Sequence, residues 1–161
     1  MNTIYLGLGA NVGDKKKHIQ KAIELLSPKI THLKRAKLYE SRAVGFTDQD
    51  NFVNTVVEGK TLLTPQQLFK FVKNIEKEIG RIYRFRWGPR EIDIDILFYG
   101  DQIVHKPDLE IPHPRLPERD FVLVPLLALA PDFVHPKLKK TITQLLQELP
   151  FEQRAIIDSY P

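Results

Sequence analysis

Cysteine is absent from the 161-residue chain, and methionine and tryptophan occur once each. Without a thiol there is no disulfide framework, no thiolate metal site and no Cys nucleophile, a profile that suits a reducing, cytoplasmic setting. Long apolar runs are missing too. The longest, Phe121 to Ala130, is interrupted by Pro125 and is too short to span a bilayer. No basic–apolar–small leader pattern opens the sequence, since Asn2 and Thr3 run straight into a strand-like segment. The expectation is a protein without a membrane partner. Neither standard nucleotide cradle is present, because there is no Gly-x-x-x-x-Gly-Lys loop and no kinase-type glycine-rich loop. Internal repeats, low-complexity tracts and linkers are absent as well, and without an obvious exposed apolar helix a monomer is favoured.

What is present suits a folded domain. A 42% hydrophobic and 27% charged composition excludes disorder, collagen and coiled coil. The length fits one domain over residues 1–161, with a core large enough to fold alone. The net charge of +4 is compatible with an anionic partner but mild. Lys15, Lys16 and Lys17 open a helix and read as a solvated face. Arginine is more telling: Arg81, Arg84, Arg86 and Arg90 fall within ten residues. Its planar fork grips phosphate oxygens in pairs.

The segment Thr3 to Ala10 reads as a strand, followed by the turn Asn11-Val12-Gly13-Asp14. Asp14 caps a helix whose Ile19, Ala22, Ile23 and Leu26 keep helical spacing and which stops at Ser27-Pro28. Lys29 to Ser41 and Phe52 to Leu63 read as strands around a loop from Arg42 to Asn51. Thr64-Pro65-Gln66-Gln67 is a helix start with a capping box, and Leu68, Phe69, Val72, Ile75 and Ile79 continue it as an apolar stripe ended by Gly80. Glu91 to Tyr99 is a further strand, beyond which seven of the twelve prolines, between Pro107 and Pro136, break up regular structure. Helices are expected near Asp120 to Ala130 and Thr141 to Leu149. The order β-α-β-β-α-β predicts a ferredoxin-like α/β sandwich, a mostly antiparallel sheet with helices in three α-β-α layers and a C-terminal extension.

The sharpest local feature is Glu91-Ile92-Asp93-Ile94-Asp95-Ile96-Leu97-Phe98. Alternation sends Ile92, Ile94, Ile96 and Phe98 into the core and puts Asp93 and Asp95 together on the other face, ~7 Å apart along the strand. Aspartate is depleted in strands, so two of them in an apolar run are notable. Paired carboxylates without nearby His or Cys suit Mg²⁺. The strand is entered from the arginine loop, whose Tyr83, Phe85 and Trp87 can stack on a planar ring. Metal with arginine around a polyphosphate points to phosphoryl transfer. Single-stranded nucleic acid binding also suits a basic aromatic loop, but such a groove gains nothing from two carboxylates, so no nucleic acid partner is expected. Glu76 near a helix end and His113 between two prolines are weaker candidates.

Arg86-Trp87-Gly88-Pro89-Arg90-x-x-Asp93-Ile94-Asp95-Ile96 closely resembles the signature of the 6-hydroxymethyl-7,8-dihydropterin pyrophosphokinase family. Leu8-Gly9-Ala10-Asn11-Val12-Gly13-Asp14, Phe52-Val53-Asn54, Ile111-Pro112-His113-Pro114-Arg115 and Arg119-Asp120-Phe121 fall where further motifs of that family fall. The resemblance covers the whole chain and implies transfer of the β,γ-diphosphoryl unit of ATP to a pterin hydroxymethyl group, with release of AMP. It implies two Mg²⁺ on Asp93 and Asp95, with Arg81, Arg84 and Arg90 on the phosphates. Arg86, His113 and Arg119 are expected near ATP, and Glu76 and Ile96 at the nucleotide's border. The pterin is expected between Phe121 and Trp87 or Phe52, its edge read by Asn54 and by backbone groups around Ser41 to Val44. The loops at Val44 to Asp50 and Arg81 to Arg90 are expected to close over the substrates. Phe52 stands where Tyr is frequent in that family, Arg42 where the stretch is often Pro-rich, and Asp108 where some relatives carry Arg. The segment between Arg81 and Trp87 is one residue short.

Overall fold

A computed structural model describes residues 1–161. The chain runs through β1 (Asn2–Ala10), α1 (Lys15–Leu26), β2 (Ile30–Arg35), β3 (Leu38–Ser41), β4 (Phe52–Thr61), α2 (Pro65–Ile79) and β5 (Asp93–Tyr99). A hairpin of β6 (Val104–Lys106) and β7 (Leu109–Ile111) follows, then α3 (Asp120–Leu129), α4 (Ile142–Glu148) and β8 (Ile156–Tyr160). β1 is central, antiparallel to β4 on one side and to β5 on the other. The outer edge of β4 takes β2 along its C-terminal half and β3 along its N-terminal half, and β8 completes the sheet beyond β3. This is the anticipated β-α-β-β-α-β sandwich once β2 and β3 count as one interrupted strand. The interruption falls at Ala36, whose carbonyl accepts from the Thr55 hydroxyl at 3.1 Å. No helix is long and apolar enough to cross a membrane.

The helices form where their caps require. Asp14 Oδ1 accepts from the Lys17 amide at the start of α1, and Thr64 and Gln67 make a reciprocal capping box at the start of α2. Gly80 ends α2 at φ 101°, a left-handed conformation that a side chain would strain. Both helices lie on one face of the sheet. Ile4, Leu6 and Leu8 of β1 and Ile94 and Ile96 of β5 meet Ile19 and Leu26 of α1 and Leu68, Val72 and Ile75 of α2 there. On the opposite face α3 and α4 cover Tyr5, Val56, Leu97 and Phe98.

Phe98 is a correction to the alternation read from sequence. One extra residue in β5, opposite the step from Tyr5 to Leu6, shifts the register. This bulge sends both Leu97 and Phe98 towards α3 and leaves Tyr99 on the α1–α2 face. Ile92, Ile94 and Ile96 stay where alternation puts them, and so do Asp93 and Asp95 on the opposite face.

β8 has little local signal and was not anticipated. A distant carboxylate holds it in place: buried Asp120, at the start of α3, accepts from the amides of Ala155 at 2.9 Å and Ile156 at 3.0 Å. Asp120→Ala leaves both amides without an acceptor. It is expected to lower unfolding stability in urea by about 3 kcal/mol, with Asp120→Asn losing about half as much. A change below about 0.5 kcal/mol in the alanine variant would show that β8 is held by other means.

Candidate active site

α3 and α4 leave one end of their face of the sheet uncovered. There Gly7 and Gly9 give the central strand no side chains, Asp95 and Asp93 lie beside them on β5, and Asn54 faces Gly9 from β4. The result is a cavity of about 190 Å³. A Cβ on Gly9 would stand 2.8 Å from Asn54 Oδ1 and force that side chain to shift, whereas one on Gly7 would make only ordinary contact with Leu97 at 3.4 Å. In the sequence the pair is Gly7-Leu8-Gly9, within the first strand. Glycine inside a strand, which marks close approach of another group, was the available signal.

One wall of the cavity suits a flat ring. Phe52, Trp87, Phe121 and Val44 border it, and buried Asn54 donates to Ser41 Oγ at 2.7 Å. Trp87 has guanidinium groups over its ring from Arg115 at 4.6 Å, Arg86 at 5.3 Å and Arg119 at 5.9 Å. Gly45, at φ 85°, lies against the indole so closely that a Cβ would stand 2.9 Å from Cγ. Sequence reasoning missed Asn11 and Gln49, which tie the loops together. Asn11 is 2% exposed. Its side chain donates to Gln49 Oε1 at 2.8 Å and to the Asp50 carbonyl at 2.9 Å, and accepts from the Arg90 amide at 2.9 Å. Gln49 in turn donates to the carbonyls of Phe46 and Trp87 at 2.6 and 2.7 Å. The two loops expected to close over substrates are thus joined to the end of β1 by two amides whose donors are all used.

The opposite wall is electrostatic. Asp93 lies 3.0 Å from Arg90 and 3.4 Å from Arg81, while Asp95 lies 3.8 Å from His113 and 4.0 Å from Arg119. Burial works against ionisation of both carboxyls. Arg90, Lys73 and Arg81 nevertheless hold Asp93 below its ordinary range. Burial and the adjacent Asp93 push Asp95 up to about 7. Burial, reinforced by Arg119, pulls His113 down to about 4, so at neutral pH it is uncharged. Its Nδ1 accepts from the Arg115 amide at 3.2 Å, which leaves the proton on Nε2, facing Asp95. No third His, Asp, Glu or Cys joins the pair in a ready-made metal cluster. A hard cation held here would take most of its ligands from water or a bound substrate, as Mg²⁺ does.

Ser41, Val44, Phe52, Asn54, Trp87, Arg90, Asp93, Asp95, His113, Arg119 and Phe121, all candidates from the sequence, border this one cavity. Others do not. Arg84 pairs with Glu91 at 2.6 and 3.1 Å and also bonds the carbonyls of Ile82 and Pro89. Arg86 is exposed over Trp87. Glu76 is buried beneath the site, where it accepts from the Ile94 amide at 2.8 Å and pairs with Arg81 at 2.6 Å and Lys73 at 3.1 Å. The Ile96 side chain enters the core under α2. A second groove of about 300 Å³ runs between Phe69 and Lys73 of α2, the Ile94–Ile96 stretch of β5 and the hairpin at Lys106–Glu110. It shares Asp95 and His113 with the first cavity.

A carboxylate pair ringed by arginine, where a ring-sized cavity meets a second groove, is the arrangement of a metal-dependent phosphotransferase. Known proteins narrow that class. Residues 5–131 match the family described as 7,8-dihydro-6-hydroxymethylpterin-pyrophosphokinase (HPPK). The chain is 49% identical over 148 residues to the 2-amino-4-hydroxy-6-hydroxymethyldihydropteridine pyrophosphokinase of Aquifex aeolicus, covering 92% of each. It is 42% identical over 127 residues to the Bacillus subtilis protein of that name, covering 78% of this chain and 76% of the other. The folic acid synthesis protein FOL1 of Dictyostelium discoideum is 43% identical over 92% of this chain, which spans only 23% of that protein. The chain therefore belongs to the HPPK family, a family of diphosphotransferases. In fold it is similar to a Plasmodium falciparum HPPK-DHPS crystal structure with pteroate, at a TM-score of 0.74 and 18% identity. That match covers 91% of this chain and 42% of the Plasmodium one.

The carboxyl pair is open to a direct test. Carboxyl ¹³C NMR is expected to find one aspartate titrating near 7, with its neighbour ionised well below. In Asp93→Asn the Asp95 midpoint is expected to fall, because the adjacent negative charge that opposes its ionisation is gone. An Asp95 that titrates in the ordinary carboxylate range in the wild type would contradict this electrostatic account.

Proposed function

We propose that the chain transfers the β,γ-diphosphoryl unit of ATP to the hydroxymethyl oxygen of 6-hydroxymethyl-7,8-dihydropterin and releases AMP, a step of folate synthesis. One observation carries the reading: the ring-sized cavity and the second groove meet at Asp95 and His113, so that two substrates would touch where the charged groups converge. The aromatic cavity suits the pterin, which would stack between Phe121 and Trp87 or Phe52. Asn54, with Ser41 and the backbone near Val44, would read its hydrogen-bonding edge. The groove suits the nucleoside end of ATP, bordered by the Ile96 backbone.

Asp93 and Asp95 have the oxygen donors and spacing to hold Mg²⁺, two ions in this reading. When bound, the metal neutralises polyphosphate charge and fixes the phosphates in line. The chain's own contribution is positional and electrostatic. Arg81, Arg90 and Arg119 already point charge at the carboxylate pair and are placed to take phosphate oxygens. Arg84 and Arg86 could join only if the loop rearranges, with Arg84 giving up Glu91. Glu76 keeps Arg81 and the Ile94 amide in register and lies beneath the nucleotide's path. Neutral His113 can donate its Nε2 proton in a hydrogen bond to a phosphate oxygen. In the transfer the pterin oxygen bonds to the β-phosphorus, and the bond from that phosphorus to the α-phosphate oxygen breaks. The electron pair stays on AMP, and the hydroxyl proton leaves to water.

The test is product analysis by nucleotide chromatography after incubation with Mg²⁺ and ATP. AMP is expected only when the pterin is present. Asp95→Ala is expected to lower the rate by about 10² to 10³-fold, the scale for losing one preorganised electrostatic group. Pterin-dependent ADP would refute the diphosphoryl transfer, and an undiminished rate in Asp95→Ala would refute the role of that carboxylate.

A further inference from the structure

One cation at this site has a partner that does not depend on it. Lys73, on the third turn of α2, lies 3.1 Å from Glu76 Oε2 and over the Phe69 ring at 5.6 Å, with a third of its side chain open to solvent. Glu76 is satisfied without it. Arg81 holds Oε1 at 2.6 Å, and the Ile94 amide reaches Oε2 at 2.8 Å. If Lys73 swings away, the buried carboxylate keeps a guanidinium and an amide, so its burial remains compensated.

The second groove, by contrast, is short of positive charge. Asp95, Asp108 and Glu110 border it, and its cations are Lys73 and Lys106. Lys106 stands exposed on the hairpin, whereas Lys73 projects from the helix wall beside Phe69. The field of Lys73 already reaches Asp93, Asp95 and His113, where the groove joins the first cavity. A lysine ammonium is a point charge on a flexible stem, suited to exchanging one oxygen partner for another.

We infer that Lys73 is a nucleotide-contacting residue, whose ammonium leaves Glu76 when ATP binds and pairs with the α-phosphate, the one that departs with AMP. The inference rests on reading the groove as the nucleotide's. The pterin cavity and the groove meet at Asp95 and His113, and of the two only the groove is lined by Lys73. The diphosphoryl unit in transit therefore lies at the junction, and the α-phosphate lies on the groove side, next to Lys73. As the bond from the β-phosphorus to the α-phosphate oxygen breaks, negative charge grows on that phosphate, and a cation there stabilises the leaving group.

Adenosine, AMP and α,β-methylene-ATP, titrated by calorimetry into wild type, Lys73→Met, Lys73→Gln and Lys73→Arg, test this. Removing the charge is expected to weaken AMP and the ATP analogue about tenfold to a hundredfold, the scale of one charge-assisted hydrogen bond. Adenosine and pterin affinities are expected to stay unchanged, and Lys73→Arg is expected to recover most of the loss. Lys73→Gln keeps a polar side chain at this half-open position and should give the same selective loss, so a folding defect in Lys73→Met does not decide the question. Equal weakening of adenosine and AMP would show that Lys73 only supports the groove, and unchanged AMP binding would show that it does not touch the phosphate. Both results overturn the inference while leaving the nucleotide reading in place. A wild type that binds α,β-methylene-ATP nowhere overturns both.

Discussion

Two carboxylates on one face of one strand, two residues apart, are the constraint around which the site is organised. At the ~7 Å set by the two-residue rise, a pair of like unit charges repels by ~0.6 kcal/mol in water and by ~2.4 kcal/mol at the effective dielectric of a protein surface. That is a sizeable part of the 5–15 kcal/mol net stability of a typical domain. The protein answers in two ways. Arg90 and Arg81 are drawn onto Asp93, and Asp95 retains its proton up to about 7. Either answer is provisional, since a cation on the phosphates of a substrate would relieve the same repulsion. The tension in the free protein thus becomes affinity for a metal–polyphosphate complex in the proposed reaction.

The rest of the fold holds that pair open to solvent without letting it relax. β5 is fixed on its other face by Ile94 and Ile96 in the core, with Ile92 just before it, so the strand cannot turn its aspartates away without dragging an isoleucine out. Glu76 bonds the Ile94 amide between them and so anchors the strand to α2. Gly7 and Gly9 keep the neighbouring strand bare, which makes room for ligands directly beside the carboxylates. Asn11 and Gln49 bind the aromatic loop and the arginine loop to each other and to the end of β1. A movement in one loop is therefore transmitted to the other through two amide side chains.

Much of this was legible in the sequence, because the features rest on local periodicity and composition. The Asp93/Asp95 face follows from strand alternation, the start of α2 from its capping box, and the concentration of arginine from simple spacing. What was not legible depends on contacts between distant segments. β8 is fixed by Asp120, 35 and 36 residues before its partners. The bulge that redirects Phe98 leaves no mark in the one-dimensional pattern. The pairing of Arg84 with Glu91 takes that arginine off the cavity, although its spacing was as suggestive as that of Arg90. Asn11 looks like an ordinary turn residue until the two loops are brought against it.

The central claim is that Asp93 and Asp95 form a metal centre completed by the nucleotide, and the most direct measurement is the Mn²⁺ stoichiometry by electron paramagnetic resonance. At saturating α,β-methylene-ATP the wild type is expected to hold two Mn²⁺ per chain. Asp93→Asn and Asp95→Asn are each expected to lose tight binding of at least one ion while remaining folded. Two ions bound with wild-type affinity in both variants would contradict the account, because the metal would then be held by the nucleotide or by other residues, and the carboxylate pair would need another explanation.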